Sequence, residues 1–290
     1  VTIVKVPGRE VIRGRLGAWK AVRLAGLVAE EAAPPSWLPG TISVEVSFLT
    51  ASGDEVVKAV FFDAGNTLLL PHPSVEEVCA EVLAGHGYHP PLEAVRKGLE
   101  RAERYYEERY WADDTFWASE EEAAAMWSEM YALAVEEVGG PSPPALGREL
   151  YDEFGKGDRW ALYPDVIPAM ERLREMGLHM GIISNWDVRL PGLCHHLGLS
   201  PFLEFVISSA NLGRIKPEAS IFQAALDRLG LEPREAVHVG DHYYADVLGA
   251  RAAGIHPVLL DRWGMADNPD CPVIASLREL PELILSGVFA

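Results

Sequence analysis

Asp63, Ser184, Lys216, Asp241 and Asp246 are three carboxylates, a hydroxyl and an ammonium, each at or a little beyond the end of an apolar run. A carboxylate can attack phosphorus and carry the phosphoryl group as an aspartyl phosphate, which divides one difficult hydrolysis into two steps. Asp63 suits that role only where the charge of the phosphate is held. A hard divalent cation such as Mg²⁺ takes carboxylate oxygens, water and substrate phosphate, and Asp63, Asp241 and Asp246 supply the protein's share. Lys216 then screens the nucleophile from the phosphate. Ser184 and the turn after Asp63, formed by Ala64, Gly65, Asn66 and Thr67, bind phosphoryl oxygens. Asn185 orders the site beside Ser184, and Gly65 permits close backbone approach and positive φ. Alone, each residue is weak evidence, because strand-end aspartates commonly cap turns and a lysine before proline is commonly solvated. Their order at successive strand ends is what points to phosphoryl transfer.

The elements that must position these residues can be read from periodicity. Residues 57–62 (VKAVFF without its lysine an unbroken apolar run) form a strand, and after Pro164 helices and strands alternate. Strands fall at 180–184, 205–209, 236–239 and 257–260, with helices up to 176 and over 217–229 and 245–253. Such alternation demands a mainly parallel sheet with helices on both faces, and ligands bind outside the carboxyl ends of its strands. The expected fold is therefore α/β, a doubly wound and mainly parallel sheet. Residues 74–160 read as helices only, an all-helical cap inserted after the first strand. In that block Ser119 is placed to cap a helix with an acidic first turn, and Gly139-Gly140-Pro141 to stop it. Pro217 suits the first turn of its helix, and Asp187 suits the cap of the helix that follows it.

The division expected along the chain is an extension over 1–55, a core made of 56–72 with 162–290, and the cap over 73–161. Residues 1–33 show no clean periodicity, whereas TISVEVSF over 41–48 alternates as a strand would. The extension is expected to be weakly structured.

Composition narrows the partners. A net charge of −18 argues against nucleic acid or an anionic membrane, and no run reaches the roughly 18 apolar residues of a membrane helix. Three dispersed cysteines, Cys79, Cys194 and Cys271, fit neither a CxxC zinc site nor a disulfide framework, which points to a reducing cytoplasm. The partner expected is a small phosphorylated substrate.

Asp63 with Thr67, Ser184, Lys216, and Asp241 with Asp246 together resemble the motif set of the haloacid dehalogenase-like hydrolase superfamily. The stretches GIISNWD, GRIKPEASIF and HVGDHYYADVLGARAAG are most similar to its domain-containing-3 subgroup. The resemblance spans about residues 56–262. It implies a Rossmann-like core, a helical cap inserted after the first motif, and Mg²⁺-dependent phosphatase activity.

One position departs from that pattern. Phosphatases of the superfamily usually carry aspartate two residues after the nucleophile as general acid and base, and here that residue is Gly65. Loss of a positioned general acid costs typically about 10²–10⁴ in rate. His242 and His72 are candidate substitutes. Three readings remain: a slow or selective Mg²⁺-dependent phosphatase, a non-catalytic protein that keeps the metal and phosphate pocket, and a 2-haloacid dehalogenase. Dehalogenases of the superfamily need no metal and lack the late aspartates in this form. A phosphonatase would need a cap lysine, and Lys97 reads more simply as part of an exposed face. The cap aromatics from Tyr105 to Tyr131 divide between packing and a substrate-facing wall, with 111–117 (WADDTFW) as the best candidates for specificity.

Overall fold

The computed structural model describes residues 2–6, 9–13 and 57–289. The TISVEVSF segment and the boundary at residue 56 lie outside the described residues. Within 1–33, where no periodicity was apparent, β1 (Thr2–Val6) and β2 (Arg9–Arg13) pair as an antiparallel hairpin with Val6 opposite Arg9. Each strand is five residues long and interrupted by charge, too short to establish a pattern.

The main sheet has six strands: β3 (Ala59–Phe62), β6 (His179–Ser184), β7 (Phe205–Ser208), β8 (Ala236–Gly240), β9 (His256–Leu260) and β10 (Val273–Ile274). Their order is β10-β9-β8-β3-β6-β7, and every neighbouring pair is parallel. Every residue of β3 and β8 is buried, as expected for parallel strands covered on both faces. Alternate residues feed two cores. Val60 and Phe62 point with Ile182 and Val239 towards Met170 and Leu173 of α5 (Val166–Glu175). Ala59 and Phe61 point with Ile183 and Ile207 towards Phe222 and Leu226 of α8 (Ala219–Leu229). The shorter helices α6 (Leu190–His196), α7 (Ser209–Leu212), α9 (Gly249–Ala252) and α10 (Leu280–Leu285) complete the layers. Phe62 lies opposite Ile182 on one side and Val239 on the other. Strand order reverses at β3, which opens a crevice at the carboxyl ends of β3, β6 and β8.

Four helices fill the segment between β3 and α5: α1 (Val75–Gly85), α2 (Leu92–Ala112), α3 (Glu120–Glu137) and α4 (Pro143–Glu153). Ser74 caps α1 in a reciprocal capping box with Glu77. The Ser119 hydroxyl accepts from the Glu122 N–H at 3.4 Å, and Gly139, at φ +72°, ends α3. The block has its own core, which includes Val78, Leu99, Met130, Tyr131 and Leu150. It is not helical throughout. Thr115–Ala118 is a 3₁₀ turn, and β4 (Leu69–Pro71) pairs antiparallel with β5 (Trp160–Leu162), Pro71 opposite Trp160. Three-residue strands are shorter than any period a sequence can display. The block is docked on the sheet by Ser209 Oγ, which donates to the Trp117 carbonyl at 2.6 Å, and by the Val188 N–H, which donates to Glu120 at 2.9 Å.

Three local expectations are corrected. Pro217 is not in a first helical turn: Glu218 is the N-cap and α8 begins at Ala219. Asp187 does not cap α6, whose flanking residue is Arg189; its carboxylate instead binds the Arg189 N–H and guanidinium. The helix expected over 245–253 is a π-helical turn, Tyr243–Leu248, continued by α9. Such turns recur at functional sites.

Candidate active site

Asp63 follows β3 directly, and its N–H donates to the Val239 carbonyl at 2.9 Å, so the residue is still held by β8. The next residues turn sharply. The Leu68 and Leu69 N–H groups donate to the Ala64 carbonyl, and the Asn66 N–H donates to the Leu69 carbonyl. Positive φ is needed here, but at Asn66 (54°) and not at Gly65. Asparagine tolerates that region better than most residues. Gly65 thus provides space, not a special backbone: a Cβ there would meet only Trp186, at 3.2 Å.

Lys216, with 1% of its surface exposed, donates from Nζ to Asp63 Oδ1 and to Asp246 Oδ1, both at 2.5 Å. Ser184 Oγ donates to the same Asp63 oxygen at 2.9 Å. Asn185 exchanges two hydrogen bonds with the Lys216 backbone, at 2.7 and 2.9 Å, which fixes where the lysine leaves the chain. Thr67 is buried, and its hydroxyl lies 3.5 Å from Asp241 Oδ1. Asp63, Asp241 and Asp246 each offer an oxygen within 4.8 Å of the others.

Three carboxylates against one ammonium leave two negative charges in a desolvated pocket. Burial and the neighbouring carboxylates push Asp241 well above the usual carboxylate range. Burial also raises Asp63, against the pull of Lys216. For Asp246 burial works in the same direction, but Lys216 and His238 outweigh it and hold the group ionised. Burial likewise opposes the charge on Lys216, yet Asp246 and Asp63 keep it above its ordinary value. A divalent cation would balance the remaining charge, and the all-oxygen donor set suits a hard one.

Several contributors were not singled out from the sequence. His238, fully buried on β8, places Nε2 2.9 Å from Asp246 Oδ1. A histidine in an apolar strand reads as packing. Gly240 leaves room for Asp246, since a Cβ there would fall 2.2 Å from the carboxylate. Its signal was present in Gly240-Asp241. Arg262 donates to the carbonyls of Asn66 and Thr67 and is paired with Asp165 at 2.8 and 3.1 Å, which braces the turn after Asp63.

A cavity of about 300 Å³ opens above these groups, lined by the sheet ends and by the helical block. Tyr106, Tyr110, Trp117, Trp127 and Tyr131 line it, whereas Trp111 packs on Tyr110 and Tyr244. Of the expected specificity segment only Trp117 reaches the cavity; α2 and α3 supply the other four of these rings. Burial raises the hydroxyls of Tyr106 and Tyr110 above the ordinary tyrosine value. His242 lines the cavity, but its Nδ1 accepts the Ala245 N–H, and burial drives it down to about 4. It is a neutral cap, not a charged acid. His72 and Lys97 are exposed and away from the cavity.

A family model described as haloacid dehalogenase-like hydrolase matches residues 57–254. Haloacid dehalogenase-like hydrolase domain-containing protein 3 of Danio rerio is 36% identical over 140 residues, 47% of this chain and 58% of that protein. The match therefore spans less than two thirds of that relative's own length. The phosphoserine phosphatase of Thermus thermophilus is 29% identical over 257 residues, 79% of this chain and 99% of that protein. A crystal structure of a 2-haloacid dehalogenase from Pseudomonas syringae is 26% identical, covers 80% of this chain and 99% of its own, and superposes with a TM-score of 0.56.

Proposed function

This chain belongs to the haloacid dehalogenase-like hydrolase family, and we propose that within it the site works as a divalent-cation-dependent phosphatase, with Mg²⁺ the ion of choice. The observation that carries this is the cluster of Asp63, Asp241 and Asp246 around Lys216. The similarity to a phosphoserine phosphatase supports the same reaction type. The late acids separate it from the dehalogenase reading, because two further carboxylates would repel the carboxylate of a haloacid.

Asp63 is the nucleophile. Its Oδ1 is occupied by Ser184 and Lys216, which leaves Oδ2 for phosphorus. Asp63, Asp241 and Asp246 hold the metal, which when bound neutralises the phosphate and draws charge from its oxygens. Lys216 stabilises the carboxylate before attack and the phosphoryl oxygens after it. Ser184 and the amides of residues 64, 65 and 67 orient the phosphoryl group; the Asn66 N–H is spent on Leu69, and Asn185 acts through the Lys216 backbone that it fixes. The helical block, residues 73–161, is the cap that closes over the substrate and excludes water. Gly65 supplies no proton, so the enzyme is slow on substrates whose leaving oxygen needs one.

Turnover of phosphorylated metabolites, measured with Mg²⁺ and with EDTA, tests the reading against an Asp63→Asn control. Mg²⁺-dependent phosphate release that Asp63→Asn abolishes is expected. Release that persists in EDTA, or in Asp63→Asn, would overturn it. The missing side chain at Gly65 favours one second reading, a phosphate-binding protein without turnover, which would bind phosphate with Mg²⁺ and release none from any ester.

A further inference from the structure

The walls of the cavity describe the part of the substrate that leaves. Resting on the phosphatase reading, we infer that the substrate is an aryl phosphate, the phosphate monoester of an uncharged, planar aromatic alcohol.

Shape and surface come first. At about 300 Å³ the cavity is at the small end for a ligand site, enough for one ring and its phosphate. Tyr106 stacks on Trp127 at 5.4 Å, and Trp160 meets Trp186 edge-on at 5.0 Å. Tyr131 and Phe154 join the two pairs into one run of touching rings that lines the cavity from α2 and α3 to the ribbon and the end of β6. Flat aromatic walls of this kind hold a planar ring by stacking.

Charge comes second. Arg189 is the one guanidinium among the described residues that line the cavity, and it is committed. Nε and Nη2 donate to Asp187 at 3.0 and 2.6 Å, and Nη1 donates to the Tyr151 carbonyl at 2.6 Å. Lys216 is held by Asp63 and Asp246. No cation among these lining residues is left to receive a carboxylate or a second phosphate. That argues against amino-acid phosphates and diphosphates and for a neutral leaving group.

Proton supply comes third and is independent of the walls. Gly65 has no side chain, and the cavity's carboxyl groups are Asp63, Asp187, Asp241 and Asp246, each already engaged with a cation or in the acidic cluster. A phenol ionises near pH 10, whereas an aliphatic alcohol is close to water at about 15.7. An aryloxide can therefore leave unprotonated. An Asp63 oxygen bonds to phosphorus, the P–O(aryl) bond breaks, and the aryloxide departs with the electron pair and takes a proton from solvent. Water then attacks the phosphorus of phospho-Asp63, which releases inorganic phosphate, a proton and the free carboxylate.

Steady-state kinetics with Mg²⁺ on four compounds separate ring from leaving group: phenyl, benzyl, acetyl and ethyl phosphate. Phenyl phosphate should exceed ethyl phosphate at least about 100-fold in kcat/KM, the lower range of an unassisted alkoxide's penalty. Benzyl phosphate should share the KM of phenyl phosphate but not its kcat. Acetyl phosphate, which passes through the same phospho-Asp63, should share the kcat of phenyl phosphate with a KM about tenfold higher, the value of one stacked ring. Trp127→Leu and, separately, Trp186→Leu should raise the phenyl phosphate KM by a similar factor. Equal turnover of ethyl and phenyl phosphate would overturn the inference and leave the phosphatase reading intact. Absence of Mg²⁺-dependent turnover on all four, acetyl phosphate included, would overturn both.

Discussion

Gly65→Asp places a carboxyl two residues beyond Asp63, against a single neighbour. Its Cβ would lie 3.2 Å from Trp186 Cζ3, and the positive φ of the turn belongs to Asn66, so the backbone at 65 accepts a side chain. Trp186 is only partly buried, and its ring has to move by a few tenths of an ångström. Overpacking of that kind costs about 1 kcal/mol, the lower end of the usual range, or roughly 2–4 °C in Tm for a domain of this size. Against this, a positioned general acid is worth about 10²–10⁴ in rate, or about 2.7–5.4 kcal/mol of barrier at 1.36 kcal/mol per decade. The catalytic gain exceeds the steric cost, and it should fall on poor leaving groups. With ethyl phosphate, kcat should rise by about 100-fold; with p-nitrophenyl phosphate the rate of nitrophenolate expulsion should change by less than about threefold. Stopped-flow absorbance gives a second readout. The wild type should release a burst of nitrophenolate and then turn over slowly as phospho-Asp63 accumulates, and the burst should shrink in the variant as water gains a base. Gly65→Ala isolates the steric part. A folded, Mg²⁺-binding Gly65→Asp protein with no gain on ethyl phosphate would refute this account of the proton problem.

Asp241 is held well above the usual carboxylate range by burial and by Asp63 and Asp246, so in EDTA stability should fall as pH rises above the unfolded carboxylate value near 4 towards its folded value. Asp241→Asn should reduce that slope, to which the raised Asp63 also contributes, and raise Tm by about 2–4 °C in EDTA at neutral pH, the response to ~1 kcal/mol, while Mg²⁺ half-saturation of turnover moves sharply upward; an unchanged slope would refute the charge balance. Gly240→Ala should raise Mg²⁺ half-saturation by about tenfold, the scale of losing one ligand's support, because a Cβ would fall 2.2 Å from Asp246 Cγ; an unchanged titration in folded protein would show that Asp246 is not held there. Asp165→Asn should cost about 3 kcal/mol by leaving Arg262 unpaired in a buried site, measured by denaturant unfolding. Burial works against Asp165, but Arg262, Ser276 and the Leu277 N–H lower its pKa. Its contribution is therefore full above about pH 4 and should be lost as pH falls through the lower folded value, a loss that Asp165→Asn should no longer show.

Which parts of this were legible follows from the range of each signal. Strands buried on both faces read as short apolar blocks, so the ends of β3, β6 and β8, and with them Asp63, Ser184 and Asp241, could be located within a residue or two. Their convergence then follows from parallel order alone. His238 could not be found this way, because its partner Asp246 is reached only through the π-helical turn. The Arg262–Asp165 pair spans 97 residues, and nothing local to either residue announces it. The cavity wall was blurred for a similar reason. Tyr106 and Tyr131 obey the same helical spacing as core residues, and only the docking of α2 and α3 over the sheet turns them towards the site. Gly65 differs again: sequence shows where φ is permitted to be positive, whereas the turn takes that freedom one residue later, at Asn66.

The ribbon of β4 and β5 has a consequence for how such a molecule can change. With Pro71 opposite Trp160, the chain leaves the sheet domain and returns to it at one spot, so everything between is suspended from a single neck. Joining Pro71 to Trp160 through a two-residue turn would leave an ordinary hairpin, and the entropy of closing a longer excursion grows only with the logarithm of its length. The intervening segment is thus an exchangeable cassette. Trading what hangs there would rewrite the wall of the cavity, while Asp63, Lys216 and the two late acids stay where the sheet fixes them.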